Sequence, residues 1–570
     1  MLGTFLSVES AATAAFGRSA GAEPDFGPNV IVLDTSMPAM QVQATLDSLS
    51  NEDQFSTNRH AVLFKPGSYT VNSKVGYYES VAGLGLSPDD VVINGGMRAE
   101  APLDPGGNTD NATDDFWRSE ENFAVIPAGR TTRWAVSQGA PFRRMHIRGA
   151  ISLVGAKYGF ASGGYISDSK IDGLVGSYSQ QQWYTRDSVI GSWSNAVWNM
   201  VFSGVVGAPP QSFPNPPYTT LATTPVSREK PFLTVDGAGR YNVFVPGVKR
   251  NSAGTTWSVG NAPGRSVSID RFFIARPSTP TFEINLALAS GKNLILTPGI
   301  YKLDQPIRVD RPNTVVLGLG YATLVPQRGS EALVVSNVGG VQVAGLLIDA
   351  GPVTSPVLLR MGSRPYGLSS HADNPSSVND VFFRVGGATP GSATTSLEVD
   401  SSDVILDDIW AWRADHGNGV GWTQNTADHG LVVNGNGVTA LGLAVEHYQK
   451  NQVVWNGNGG ETIFYQSELP YDPPSQAAWM NGSANGYSSY AVTSAVTAHQ
   501  AYGLGVYSFF NLGINIVEDS AITVPNAPGV KVNDAVTVVL NGSGSITHIV
   551  NGAGPAAVKN GGAVYLTTYP

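Results

Sequence analysis

Glu446 and Glu468 stand 22 residues apart at matching places in two successive strand-turn units, VTALGLAVEHYQ (438–449) and a second that ends TIFYQSELPYDPP (462–474). If each unit is one coil of a parallel β-helix, the two carboxylates occupy neighbouring coils, about 4.8 Å apart along the stack. Two carboxylates that close do not both ionise freely, so one is driven to keep its proton. A carboxylic acid protonated near neutral pH is what cleavage of a glycosidic bond asks of its general acid. Trp410, Trp412, Tyr448, Trp455, Tyr465, Tyr471 and Trp479 crowd the same stretch, and the combination points to carbohydrate cleavage. The plain alternative is a pair of solvated side chains on a turn face. Against it stand those aromatic neighbours and the rigid LPYDPP segment after Glu468, whose prolines suit a pocket wall. His447 either tunes its neighbour Glu446 or simply satisfies a local hydrogen bond.

A second set of polar residues interrupts strands that should otherwise be apolar. RRMHIRG (143–149), YISDSKIDG (165–173) and YTRDSVIG (184–191) align on Ile147, Ile171 and Ile190, and counting back nine from each stacks Gln138, Ser162 and Gln181. Gln181 and Gln182, within SQQQW (179–183), and the Gln138/Ser162 pair are neutral donors and acceptors suited to holding a water or sugar hydroxyls. The other reading of Gln180 to Gln182 is an internal amide ladder that fills a β-helix.

VILDDIWAWRADHG (404–417) offers a rival acid cluster, because Asp407, Asp408 and Asp415 resemble the grouped aspartates of polygalacturonase-type hydrolases. Neighbours in a strand face opposite ways, so Asp407 and Asp408 share one groove only if a bulge intervenes. The same three with Arg413 are the one candidate set for a calcium-dependent lyase, which needs acidic ligands and a basic proton abstractor. No HExxH, no i, i+4 histidine pair and no nucleotide motif occurs, so no metal or cofactor is indicated.

The elements that must carry these residues read as strands. With 66 Gly and 36 Pro in 570 residues the chain suits a turn-rich all-β fold of more than one unit. Charged residues are only 14% and the net charge is −10, which argues against a nucleic-acid partner. The absence of cysteine removes disulfides, thiolate metal sites and a cysteine nucleophile. No run of 18 apolar residues exists, so no membrane span is expected. Residues 1–27 read as a flexible leader or the stub of a removed export signal, consistent with a secreted protein.

A long-range duplication organises the rest. AVLFKPGSYTVNSKVGYYESVAGLG (61–85) and NLILTPGIYKLDQPIRVDRPNTVVLGLG (293–320) share an apolar strand, a Pro-Gly turn at Pro66 or Pro298, a Tyr, further strand and a closing Gly-Leu-Gly. Each follows a short helical segment, 40–49 or 281–290, placed to cap the open end of a β-helix. Coil-length repeats of 19–24 residues recur in both halves. The expectation is an all-β chain of two tandem right-handed parallel β-helix domains, 28–272 and 273–570, each with a short N-terminal capping helix. A β-helix also serves adhesins and tailspikes, so fold alone does not decide catalysis.

Nearly the whole chain, from about Pro28 to Pro570, resembles glycoside hydrolase family 55, the β-1,3-glucanases, in particular its bacterial laminarinase-like branch. The likeness rests on WAVSQGAPFRRMHI, GSYSQQQW, REKPFL, TPGIYKL, ATTSLEV, WAWRADHGNGVGW, VEHYQKNQVVWNG and YQSELPYDPPSQAAWMNG, together with the 64–95 segment. The GDGxTDDT string of fungal members is missing. The resemblance implies two β-helices side by side like a ribcage and an inverting enzyme that releases glucose from the non-reducing end of laminarin-type glucans. It further implies Glu468 as general acid, Glu446 as the second carboxylate, and Gln138 and Ser162 as the groups that place the attacking water. Trp412, Trp455 and Tyr471 are expected as sugar-contacting walls. The expected protein is a monomer with β-1,3-glucan as its partner and its site in the cleft between the domains. The general base is left open, because Glu446 at one coil spacing is too near the acid for the wider gap of inverting chemistry. A non-catalytic glycan-binding β-helix and the calcium-dependent lyase are the alternatives.

Overall fold

The computed structural model describes residues 23–103, 107–258, 262–363 and 369–570. Residues 1–22, most of the expected leader, lie outside the described residues. Strands dominate, and they fall into two sets along the chain. From Val30–Leu33 to Tyr218–Leu221 the chain feeds a nine-stranded and an eight-stranded sheet, both parallel throughout. From Phe272–Ala275 onward it feeds a twelve-stranded and a ten-stranded sheet, parallel except where the last strands, Ala557–Val558 and Val564–Tyr569, fold back. Parallel neighbours cannot be joined by tight turns, so a chain that keeps returning to the same sheet has to coil. Ile147 is the register partner of Ile171, and Ile171 of Ile190, the alignment read from the repeats.

The start of each set follows one plan. Helices Ala39–Leu49 and Thr281–Ala289 each bury residues four apart, Val42 with Leu46 and Ile284 with Leu288, on the face turned to the strands. Gly67 and Gly299 have φ of 147° and 148°, and a Cβ there would lie 2.3 Å from Thr35 and Pro277 respectively, so both turns require glycine. Two residues on, the Tyr69 hydroxyl donates to the carbonyls of Leu33 and Lys65, and that of Tyr301 to Ala275 and Thr297.

The tail of the first set departs from the coil expected through residue 272. Past Leu221 the described strands pair antiparallel: Thr224–Arg228 with Val248–Ser252, and Phe232–Val235 with Tyr241–Pro246. The VDGAGRY turn (235–241) favours this, since Asp236 accepts from the backbone of Ala238 and Arg240 and closes a tight reversal. Leu233, Tyr241, Val243 and Val245 pack in one cluster with Leu63, Ile295 and Leu317, so the hairpins seal the two sets together.

A row of left-handed corners faces the first set. Asp380, Asp408, Gly442, Phe464, Gly503 and Asp534 have φ between 50° and 73°, each at a one-residue gap in the pairing of successive long strands, with the same register on either side. A Cβ on Gly442 would come within 3.0 Å of both Tyr165 and Tyr184, and Phe464 stacks on Tyr184 at 5.7 Å. Beside the corners Asp407, fully buried, is held by Arg143 at 3.1 Å, Arg186 at 2.6 Å and the Tyr165 hydroxyl at 2.6 Å, all from the first set.

Candidate active site

One column of side chains crosses the long sheet of the second set. In successive strands Arg384, Trp412, Glu446, Glu468, Tyr507 and Val538 are register partners. The 22-residue spacing of the glutamates is therefore one coil, and their side chains leave the same face of adjacent strands. From Trp412 to Val538 this column lines a cavity of about 1090 Å³, with the exception of Tyr507, which lies beneath Trp198.

The first set supplies the opposite wall through Gln138, Ser162 and Gln181. A bridge pairs Ala161 with Gln180, which sets Ser162 beside Gln181. Gln138 Nε2 donates to Glu446 Oε1 at 2.9 Å, and Trp410 Nε1 donates to Glu446 Oε2 at 2.8 Å. Ser162 Oγ lies 2.8 Å from Ser137 Oγ and donates to Gln138 Oε1 at 3.3 Å. The serine and the glutamine amide are thus oriented by one another and by the backbone before any ligand arrives.

Burial lifts Glu446 to about 7, although the hydrogen bond from Trp410 favours its ionised form. Burial, then the charge of Glu446 one coil away, raise Glu468 well above the ordinary carboxylate range, and Asp415 and Asp114 push the same way. The Tyr471 hydroxyl donates to Glu468 Oε2. Such a carboxyl holds a proton at neutral pH and presents it to the cavity. Asp415 behaves in the opposite sense: burial would raise it, but the hydrogen bond with His416 at 2.9 Å and the nearby His447 outweigh that and bring it to about 2.

Several expected residues fall elsewhere. Trp455 is not a sugar wall: it is fully buried within the second set, packed edge-on against His499 at 4.7 Å, because its strand turns that face inward. Tyr448, Tyr465 and Trp479 are in the same core, whereas Trp412 and Tyr471 do line the cavity. Gln182 does not line the cavity; it is buried, and its amide donates to the Ser162 carbonyl. Gln180 fills the interior, donating to the carbonyls of Val136 and Leu153, while Gln181, at the bend just before strand Gln182–Arg186, faces the cavity. The aspartate cluster does not assemble. Asp407 is tied to two arginines at the seam, the left-handed φ of 58° turns Asp408 into the neighbouring corner, and Asp415 lines the cavity. Arg413 is paired with Asp472 at 3.0 Å, and His447 is bonded to the Leu469 carbonyl at 3.1 Å. Among the described residues no group of three or more His, Cys, Asp or Glu is arranged to hold a metal ion.

Residues the sequence reading passed over complete the site. Asp114, Phe116 and His416 close the Trp412 end, and behind them Phe55, Tyr78, Trp117 and Trp410 fill the space with packed rings. Asp114 and Phe116 sit in NATDDFW (111–117), where acidic and aromatic residues adjoin, a signal too short to be placed without the fold.

Residues 272–468 match the family model of the LAM55 pectate lyase-like domain. The chain is 53% identical over 535 residues to a Streptomyces sp. (strain SirexAA-E / ActE) protein described as exo-beta-1,3-glucanase, covering 93% of this chain and 87% of that one. The structure of sacteLam55A from Streptomyces sp. SirexAA-E superposes with a TM-score of 0.93 at 51% identity, covering 96% and 99% of the two chains. A variant of the same protein in complex with glucose gives 0.92 at 50% identity, covering 97% and 100%.

Proposed function

Since the chain belongs to glycoside hydrolase family 55, we propose that it is an inverting exo-β-1,3-glucanase that takes glucose from the non-reducing end of laminarin-type glucans. The observation that carries this reading is the Glu446/Glu468 register pair facing Gln138 and Ser162 across one cavity. Glu468, kept protonated by burial and by its neighbour, is the general acid that protonates the glycosidic oxygen. The attacking water is held between Gln138 and Ser162 on the other side of the sugar, and Glu446 anchors that amide while raising the acid's pKa. Trp412, Tyr471 and Gln181 contact the sugar. The packed aromatic rings beyond Trp412 close that end of the cavity, which favours attack at a chain end.

In this reading the two sets of sheets are two right-handed parallel β-helices lying side by side, the coils of the first ending at Leu221 and those of the second starting at Phe272, with the antiparallel hairpins between them in sequence packed against both. The right hand is the one that parallel crossovers adopt. With all its residues in one chain the proposed site needs no second copy, and the enzyme is proposed to act as a monomer. A glucan too large to enter cells calls for a secreted enzyme, and no helix among the described residues is long and apolar enough to cross a membrane.

Incubation with laminarin, followed by proton NMR of the first product, tests this directly. Glucose appearing first as the α-anomer, with or without chelator, is expected. Absence of glucose would leave a binding protein, and unsaturated products lost on chelation would mean a lyase.

A further inference from the structure

His416 lines the closed end of the cavity, yet both of its ring nitrogens are already engaged. Nδ1 lies 2.9 Å from Asp415 Oδ1, and Nε2 lies 2.7 Å from Gln54 Nε2, a side chain 362 residues away that does not itself line the cavity. The amide N–H donates to Nε2, which leaves the ring proton on Nδ1 to be donated to Asp415. Burial opposes a charge on His416, but the hydrogen bond with Asp415 and the charges of Asp415 and Asp114 outweigh it and raise its pKa. A glutamine suits that place, because its amide, once rotated, offers a carbonyl to Nε2 when that nitrogen is protonated as well.

Gln54 is itself held. It lies in the NEDQFSTN turn (51–58) between helix Ala39–Leu49 and strand His60–Phe64. Its carbonyl accepts from the Tyr78 hydroxyl at 2.5 Å, and Glu52 braces the turn by accepting from Ser56 and Asn58. The next side chain, Phe55, enters a slot in the second set: a Cβ on Gly417 would lie 2.8 Å from its ring, and one on Gly387 3.2 Å. There it touches the His416 ring at 5.7 Å and lies parallel to Trp412 within 5°, at 6.4 Å. The turn thus brings one amide and one ring to the loop that bears Asp415 and His416.

What that loop presents to the cavity rests on the glucanase reading above. In that reading the Trp412 end receives the terminal glucosyl unit, and Asp415, an ionised acceptor lining the same end, takes its hydroxyl groups. An unheld carboxylate on a loop must be ordered when the sugar arrives; one bonded to a fixed imidazole is in place beforehand.

We propose that Gln54 is a positioning residue for the terminal glucose: it locks the His416 ring, and the ring holds the Asp415 carboxylate toward the sugar.

Glucose binding by calorimetry is the test, because Asp415 also bears on Glu468 and turnover would mix the two effects. Gln54→Met keeps the length but removes the amide, and should weaken glucose binding about tenfold, as should Asp415→Asn. The double variant should be about tenfold weaker than the parent rather than about a hundredfold, since both changes break one chain of contacts. Gln54→Glu, whose carboxylate accepts from a protonated Nε2, should bind within about twofold of the parent. On the linear β-1,3-linked trisaccharide, Gln54→Met should raise KM and leave kcat within about threefold. Circular dichroism confirms folding, and Gln54→Ser serves if the methionine variant does not fold. Unchanged affinity in Gln54→Met, multiplied losses in the double variant, or no rescue by Gln54→Glu overturns the positioning role. Glucose release from laminarin by the parent, followed alongside, separates the two readings. Release together with any of those outcomes leaves the glucanase reading intact. No release while glucose still binds overturns that reading alone, and neither release nor binding overturns both.

Discussion

Gln138 Nε2 donates to Glu446 Oε1 at 2.9 Å across 308 residues of chain. One side chain comes from the early coils and the other from the late ones, so this part of the site exists only while the two sets of sheets are docked. The other carboxylate oxygen is taken by Trp410 Nε1. In the proposed reaction Glu446, with both oxygens occupied, serves as an anchor for the amide and a source of charge beside Glu468. Both roles follow from its place between a donor wall and an acid.

Glu468→Gln preserves size and shape but has no proton to deliver. Turnover of laminarin should fall by a factor on the order of 10² or more. An aryl β-glucoside with a good leaving group depends less on protonation and should keep a larger share of its rate, provided it is accepted. Steady-state rates on both substrates, with circular dichroism to confirm folding, decide it. Near-normal laminarin turnover by folded Glu468→Gln removes it from the acid role.

Glu446→Gln should act on the pH profile. Burial and the charge of Glu446 both hold the Glu468 pKa up. The active form of Glu468 is protonated, so activity is lost as pH rises through that pKa. Deleting the neighbouring charge lowers the pKa, and the alkaline limb of kcat/KM should move toward lower pH. A limb that stays in place, or moves to higher pH, contradicts the coupling.

Gly442→Ala should loosen the docking without touching the cavity. Gly442 has φ of 73° and lies where a Cβ would meet Tyr165 and Tyr184 at 3.0 Å. The left-handed backbone alone costs about 1–2 kcal/mol with a side chain present, and the contact adds to it. Thermal unfolding should show the loss. Gly129, where a Cβ would meet nothing, is the control, and Gly129→Ala should unfold close to the parent temperature.

The coil register and the glutamate pair were legible because each is a local periodicity: Ile147, Ile171 and Ile190, or Glu446 and Glu468, repeat at coil length. Gln181 separates from Gln180 and Gln182 because it sits at the bend before strand Gln182–Arg186, a break in alternation that no periodicity announces. Trp455 was misread because a tryptophan beside polar residues looks the same whether its strand turns it inward or outward. Asp408 was open for a related reason: a single left-handed corner reverses the alternation, and its φ of 58° belongs to a non-glycine residue that gives no warning. The seam between the sets joins residues hundreds apart, such as Arg143 and Asp407, and no spacing along one chain reports such a meeting.

That seam supplies the sharpest separation of structure from chemistry. Asp407 is fully buried between Arg143 and Arg186; burial opposes its charge, but the two guanidinium groups and the Tyr165 hydroxyl outweigh it and bring the carboxyl from 3.8 to about 2. Asp407→Asn leaves the shape intact and two buried cations short of a partner, though Arg143 keeps Asp380 and Arg186 keeps Glu229. The expected loss is about 3 kcal/mol of stability, read from denaturant unfolding near pH 7. Because the folded pKa is depressed, the aspartate contributes its stability above the unfolded value of 3.8 and loses it as pH falls toward about 2. The gap between parent and variant should therefore be full at pH 5 and above and shrink across that acid window. Asp407 does not line the cavity, so the folded variant, assayed well below its unfolding temperature, should hydrolyse laminarin within a few-fold of the parent rate. A folded Asp407→Asn protein with activity reduced as far as that of Glu468→Gln would return the aspartates to the reaction and displace the glutamate pair.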